Sequence, residues 1–454
     1  MSGCGYIEQP RFSCALAAQH TVLAIPRAVP IAHCGPGCVA KTFAFSGIGA
    51  GHNGEGYAGG GTVTCTNTNE HDVVFGGVEK LKKFINGALK VLKADLYVVM
   101  SGCTAGIIGD DVEQIAVEFT EGGAPVVGVD TSGFRGNSYV GHDLVLNGII
   151  KQFVDKSGTE VKVRKGLVNV FASVPPQHPF WRGDLEEIKR ILELIGLEVN
   201  ILFGSGSAGV SEWRDIPNAE FNIVLSSWVG ESAAKLLKTK YEKPYLHIPY
   251  IPMGAAATSR ALREIAAFAG IESDKVEKII EREEKRFYNY FISLTDFFAD
   301  FRNSIPYELY VVSDSSYAIG VSDFLVNELG FSPEGIYITD SPGDSAKKRI
   351  LETFSKLGDE FADKIIFEDD GGIIQSDIKK RLNGSKRAAI FGSLWEDSLA
   401  DETGNISYHL SLPLSNDIIT NRSFAGYNGG IRLIEELYAG IFRRREVAGT
   451  TFFE

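Results

Sequence analysis

Apolar positions along this chain fall into two patterns: short continuous runs and longer stretches with helical spacing. Residues 96–100 (LYVVM) are apolar on both faces and too few for a helix, which predicts a buried parallel strand. Just upstream, Leu81, Phe84, Ile85, Leu89 and Leu92 recur at helical spacing across 78–92. Residues 29–32 predict a short strand ending at His33, followed by a tight Cys34-Gly-Pro-Gly-Cys38 turn that opens a helix. Pro26 and Pro30 break any longer helix there. A further helix is expected to begin near Asp110 and Asp111, whose carboxylates suit a helix N-terminus better than acid catalysis. Residues 47–61 hold eight glycines and predict a loop. The Gly47-x-Gly49-x-Gly51 run inside it lacks the spacing of a dinucleotide fingerprint.

The alternation recurs twice. Strands are expected at LVNVFASV (167–174), EVNILF (198–203), FNIVLS (221–226) and KPYLHIPY (243–250). Between them lie amphipathic helices over 183–196 and 230–241. Asp184 and Glu187 have capping-box spacing at the start of the first. Residues 271–303 are helical and charged, long enough to bridge two domains, with the charges on a solvated face. From 308 to 414 strand and helix signals alternate again, and GYNGGIRLIEELYAGIFRRR (426–445) closes the chain as an amphipathic helix with a basic end. The pattern predicts an α/β protein of three Rossmann-like domains, each a mostly parallel sheet flanked by helices. The expected divisions are 1–160, 161–300 with the bridging helix, 301–415, and a C-terminal helix and tail at 416–454.

Composition narrows the class. The chain has 454 residues, 44% apolar and 23% charged, with a net charge of −13. That is the balance of a globular cytoplasmic enzyme and argues against nucleic-acid binding. No apolar run reaches the length of a membrane span, and the N-terminus has no signal-peptide pattern. No Walker A sequence occurs, so nucleotide hydrolysis is not expected of this chain.

Cysteine usage changes the picture. All six cysteines (Cys4, Cys14, Cys34, Cys38, Cys65 and Cys103) lie in the first 103 residues, beside dense glycine. Core packing alone would scatter them. Glycine lets a backbone approach a bulky group and donate N–H groups to sulfur, which points to an iron–sulfur cluster on loops at strand ends. Cys103 directly follows the 96–100 strand, where open α/β sheets bind ligands. Cys65 reads as a buried free thiol. His33 either orients the cysteine loop or is a hydrogen-bonded structural residue. His178 and His247 are candidates to face a pocket, although most histidines in such a chain are structural.

Three stretches taken together carry a resemblance: Cys14 followed by AHCGPGCVA, then HDVVFGGVEKLKKFI, then SGCTAGIIGDDVE. GYNGGIRLIEELY near the C-terminus adds a weaker match. In this order the chain resembles the nitrogenase component 1 family along its whole length. The resemblance implies three cysteines per subunit holding an iron–sulfur cluster shared with a partner subunit, either a P-cluster or a simpler 4Fe-4S cubane. Carried over, these are Cys14, Cys38 and Cys103, with Cys34 an alternative to Cys38. It also implies a homologous α-type partner in a heterotetramer and a separate ATP-dependent iron–sulfur reductase. The family's cofactor-binding cysteine and histidine would fall at Ser226 and near Ala425, and serine is a poor ligand for such a cofactor. The chain therefore looks like a β-type, electron-relaying subunit of a nitrogenase-like reductase, of which methylthio-alkane reductase is one kind. A cofactor-assembly scaffold and a tetrapyrrole reductase subunit are the alternatives within the family.

Overall fold

The computed structural model describes residues 10–52, 63–155, 161–296, 299 and 305–447, so Cys4 and the glycines at 54–61 lie outside the described residues. Three sheets form, and every strand pair in them is parallel. The first holds β1 (Ala28–His33), β2 (Thr64–Cys65), β3 (Leu96–Ser101) and β4 (Val126–Val129) in the order β2-β1-β3-β4. The second holds β5 (Arg164–Phe171), β6 (Glu198–Asn200), β7 (Ala219–Leu225) and β8 (Tyr245–Ile248) in the order β6-β5-β7-β8. The third adds β9 (Glu308–Ser313), β10 (Ser332–Ile338), β11 (Ile365–Phe367), β12 (Ala388–Gly392) and β13 (Ile406–His409) in the order β11-β10-β9-β12-β13. Each order reverses direction once, between β1 and β3, β5 and β7, and β9 and β12. A crevice opens at the C-terminal strand ends at such a reversal.

The continuous apolar runs became fully buried strands; β1 and β3 are buried at every position. Helices cover the sheets, so both strand faces need apolar residues. The helix Val78–Val91 buries Leu81, Ile85 and Ala88 against one face of the first sheet. The helix Ser273–Ser293 packs against the helices Gly254–Ala269 and Gly426–Val447, with Val276, Ile280, Glu283 and Phe287 buried and its charged face outward. Among the described residues no helix is long and apolar enough to cross a membrane.

Two local expectations fail for non-local reasons. The helix Pro36–Phe43 continues through Ala44–Ile48 to Gly49, although Gly47–Gly51 was expected as loop. The end of this helix is held from the third sheet's connections. Leu414 N–H donates to the Gly49 carbonyl and Ile419 N–H to the Gly51 carbonyl at 2.9 Å. Gly51 has φ of +84°, and a Cβ there would lie 2.6 Å from the Ile419 side chain.

Asp184 is not the cap of its own helix, which runs Trp181–Leu194 with Phe180 at the cap. It is buried in the first turn. It accepts hydrogen bonds from Phe424 N–H (2.8 Å), Ala425 N–H (3.0 Å), Ser423 Oγ (2.9 Å) and the Tyr317 hydroxyl. It thereby anchors the entry to the C-terminal helix against the second and third sheets. Asp184→Ala should destabilise the fold by about 3 kcal/mol, because several buried donors lose their acceptor. Denaturant titration against wild type checks this, and a change under about 0.5 kcal/mol contradicts it.

His409 closes the third sheet's edge between Asp397 (3.1 Å) and Asp417 (3.3 Å). Burial alone would push His409 down, but hydrogen bonds and charge from both carboxylates outweigh it and hold it at about 9. The imidazolium's stabilisation is fully present below the ordinary 6.5 and is lost as pH rises through about 9. Thermal midpoints should therefore fall between those values in wild type, and fall less in His409→Gln. Parallel curves contradict the assignment.

Candidate functional site

The site grows from one register. β1 and β3 pair from Ala28↔Leu96 to His33↔Ser101, so both strands end level, at the crevice of the first sheet. The connections leaving them carry Cys34, Cys38 and Cys103. His33 is buried, 2.9 Å from Thr66 Oγ1 and 2.9 Å from Asp110 Oδ2. Burial lowers its affinity for a proton, and Asp110 opposes that. Asp110 also accepts two bonds from Gly77 N–H, at 3.0 and 3.1 Å. A Cβ at Gly77 would strike Asp110 at 2.6 Å and His33 at 2.8 Å, which explains glycine before the helix Val78–Val91. So His33 is a structural cross-tie. Of the two aspartates expected as caps, only Asp111 caps the helix Val112–Glu121, accepting from Gln114 N–H at 2.9 Å.

The cysteines separate into two groups. Cys34 is buried at 1% exposure, and a Cβ at Gly102 would lie 2.5 Å from its Cβ. Cys65, half-buried on β2 rather than fully enclosed, has its sulfur 3.0 Å from the Cys34 carbonyl. These two form an inner pair. Cys38 and Cys103 are exposed and Cys14 is half-buried. Cys103 opens the helix Cys103–Ile108, an element the sequence reading missed by starting the helix at Asp110.

A loop that sequence reasoning passed over brings the outer group together. It follows β4. A Cβ on Gly133 would sit 2.9 Å from Cys103 Sγ and 3.8 Å from Cys14 Sγ, so both sulfurs face one glycine. Gly133 N–H donates to Cys103 Sγ at 3.1 Å. Burial opposes ionisation of Asp130 beneath it. Hydrogen bonds from Ser101, Ser132 and Arg135 outweigh that and hold it at about 2, which locks the loop. Its sequence signal was Ser132-Gly133-Phe134-Arg135-Gly136 directly after an apolar run, at the end of a strand. Cys38's thiol is pushed up, by burial first and then by the neighbouring Cys14 and Cys103. Among the described residues no three His, Cys, Asp or Glu side chains close around one point as a single ion requires.

Exposed apolar side chains lie beside the Cys103 helix. Phe75 is 74% exposed, Ile107 76% and Phe134 62%, and the helix Glu70–Phe75 packs beside Cys103–Ile108. A Cβ on Gly106 would meet the Phe134 ring at 2.9 Å, so this ring lies across the Cys103 helix.

The other sequence candidates are structural. His178 is buried, edge-on to Tyr317 and 3.3 Å from Asp314. His247 Nε2 donates to the Ser226 carbonyl at 2.7 Å. Hydrogen bonds tie the segments next to Ser226 and Ala425 to the helix Ser315–Ser322. Ser227 N–H donates to Ser316 Oγ at 3.1 Å, Tyr317 bonds Asp184, and Asp184 accepts from Ala425 N–H.

Phenylarsine oxide bridges thiols that converge. On metal-free protein it should protect Cys14 and Cys103 together from iodoacetamide, and Cys14→Ser should abolish protection of Cys103. Independent labelling of the two contradicts the shared face.

Comparison with known proteins follows the same outline. The family model described as nitrogenase component 1 type oxidoreductase matches residues 13–442. A light-independent protochlorophyllide reductase chain of Porphyra purpurea is 26% identical over 394 residues, covering 83% of this chain and 73% of that protein. The nitrogenase molybdenum-iron protein alpha chain of Methanosarcina barkeri is 31% identical over 230 residues, 49% of this chain and 41% of that one. The solved structure titled "Nitrogenase Cp1 at pH 6.5" superposes with a TM-score of 0.80 at 19% identity, covering 100% of this chain and 97% of that chain. The three parallel sheets thus have a solved counterpart, and the chain belongs to the nitrogenase component 1 type oxidoreductase family.

Proposed function

We propose that this chain is an electron-relaying subunit of a nitrogenase-like reductase. In this reading Cys14, Cys38 and Cys103 hold one side of an iron–sulfur cluster, either a P-cluster or a 4Fe-4S cubane, at the border with a homologous α-type subunit. The observation that carries it is the pair of sulfurs, Cys14 and Cys103, facing Gly133, with an exposed Cys38 near enough for both to raise its thiol. The donor set fits such a group: three soft thiols on glycine-lined loops. When bound, such a cluster supplies reversible one-electron transfer.

The chain's own residues then have definable tasks. Gly133 N–H donates to the Cys103 sulfur, which would stabilise its thiolate and raise the potential of a bound centre. Phe75, Ile107 and Phe134 would exclude water from the thiols and offer an apolar seat to a second subunit. Cys34 is the weaker candidate ligand, since it is buried against Gly102 and Cys65. A separate ATP-dependent iron–sulfur reductase would deliver the electrons. Ser226 and Ala425 supply no soft ligand where the family's cofactor ligands would fall, so in this reading onward transfer would go to the partner.

A second reading has specific support. The protochlorophyllide reductase relatives align over 83% of the chain, the nitrogenase alpha chain over only 49%. This favours a tetrapyrrole reductase subunit as the main alternative. A tetrapyrrole added to the complex would then shift its Soret absorption on binding.

Anaerobic purification from the native host should yield a brown complex of two kinds of chain containing iron and acid-labile sulfide. Cys103→Ala should lose most of the iron while the chain still folds. A colourless, iron-free anaerobic complex contradicts the proposal.

A further inference from the structure

Cys14 is the one proposed ligand outside the sheets' own strand ends, and its segment is held from all three sheets. Against the first, Cys14 bridges Asn137, Ser138 N–H donates to the Ser13 carbonyl at 2.8 Å, and Ala15 N–H donates to the Gly136 carbonyl at 3.0 Å. From the crevice of the second sheet, after β5, Gln177 donates its side-chain amide to the Arg11 carbonyl. The same amide's oxygen accepts from Ser138 Oγ at 2.7 Å. From the crevice of the third sheet, after β12, Glu396 accepts from the Arg11 guanidinium, which also lies over the Trp395 ring at 5.4 Å.

The three gripping side chains are buried: Arg11 is 2% exposed, Glu396 0% and Gln177 4%. Among the described residues Arg11 Nε and Nη1 have no hydrogen-bond partner. A buried ion pair with unused donors is a weak source of stability, and an apolar pair of the same volume often does as well. What the ion pair adds is a fixed position. Glu396 is itself locked, accepting Ser393 N–H at 2.8 Å and Ser393 Oγ at 3.0 Å, so it presents one oxygen to Arg11 in one place.

We propose that Arg11 is a positioning residue: gripped by Glu396 and Gln177, it fixes the Cys14 segment where the strand-end crevices of the three sheets meet. The bearing on a cluster rests on the proposed function above. The clamp itself does not.

The test compares alkylation rates of Cys14, Cys38 and Cys103 in the metal-free full chain, read by mass spectrometry. Arg11→Met should speed Cys14 by about tenfold, the effect of losing one charge-assisted hydrogen bond, and leave Cys38 and Cys103 unchanged. Arg11→Lys, which can still reach Glu396, should stay near wild type. Gln177→Leu removes the second grip without leaving a buried charge unpaired, so it serves if Arg11→Met folds poorly, and it should also speed Cys14 alone. Equal acceleration of all three thiols, or an unchanged Cys14, overturns the clamp. In the anaerobic complex Arg11→Met should keep its iron but show a changed electron paramagnetic resonance spectrum; an unchanged spectrum overturns the positioning role. A wild-type complex without iron would instead overturn the cluster reading, and the Cys14 rates would still decide the clamp.

Discussion

The pairing of β1 with β3 is the constraint on which the rest depends. Six consecutive parallel pairs, ending at His33↔Ser101, bring two chain segments separated by the whole 34–95 excursion to one edge. Pairing of β1 with β2 and of β3 with β4 holds this register from both sides. The order β2-β1-β3-β4 reverses between these two strands, so a crevice opens at their ends. Cys34, Cys38 and Cys103 leave from that crevice, and the loop after β4 closes on it with Gly133.

The buried charges follow a second rule. They sit where connections from different strands or sheets meet, not within any one hydrophobic layer. His33 with Asp110 joins two connections of the first sheet; Asp184 joins the second to the third and to the C-terminal helix; Arg11 with Glu396 joins the N-terminal segment to the third. Each carboxylate takes several donors, which offsets its desolvation. Apolar contact would hold these surfaces together at many angles. A buried acceptor with fixed donors allows one arrangement, and a set of thiols sharing one face needs it.

How much of this was legible follows from the range of each interaction. The run at 96–100 was readable as a strand because burial on both faces writes itself into consecutive residues. The helix over 78–92 was readable because one buried stripe imposes a period. Asp184 was misread because its capping-box spacing is local, whereas its partners Tyr317, Phe424 and Ala425 are remote in the chain. Gly47–Gly49 was expected as loop because glycine lowers helix propensity, and residues after β13 supply the hydrogen bonds that override it. Cys14, Cys38 and Cys103 came from family resemblance and glycine context. Gly133 did not, since its surroundings mark a loop at a strand end but not the sulfurs that approach it from Cys14 and Cys103.

In the proposed function the outer thiols, not the inner pair, hold iron. Anomalous scattering at the iron edge from anaerobic crystals of the complex measures this most directly. The account predicts iron density within bonding distance of Cys14, Cys38 and Cys103, shared across the border with a second chain. Iron on Cys34 and Cys65, or no iron near Gly133, would contradict it.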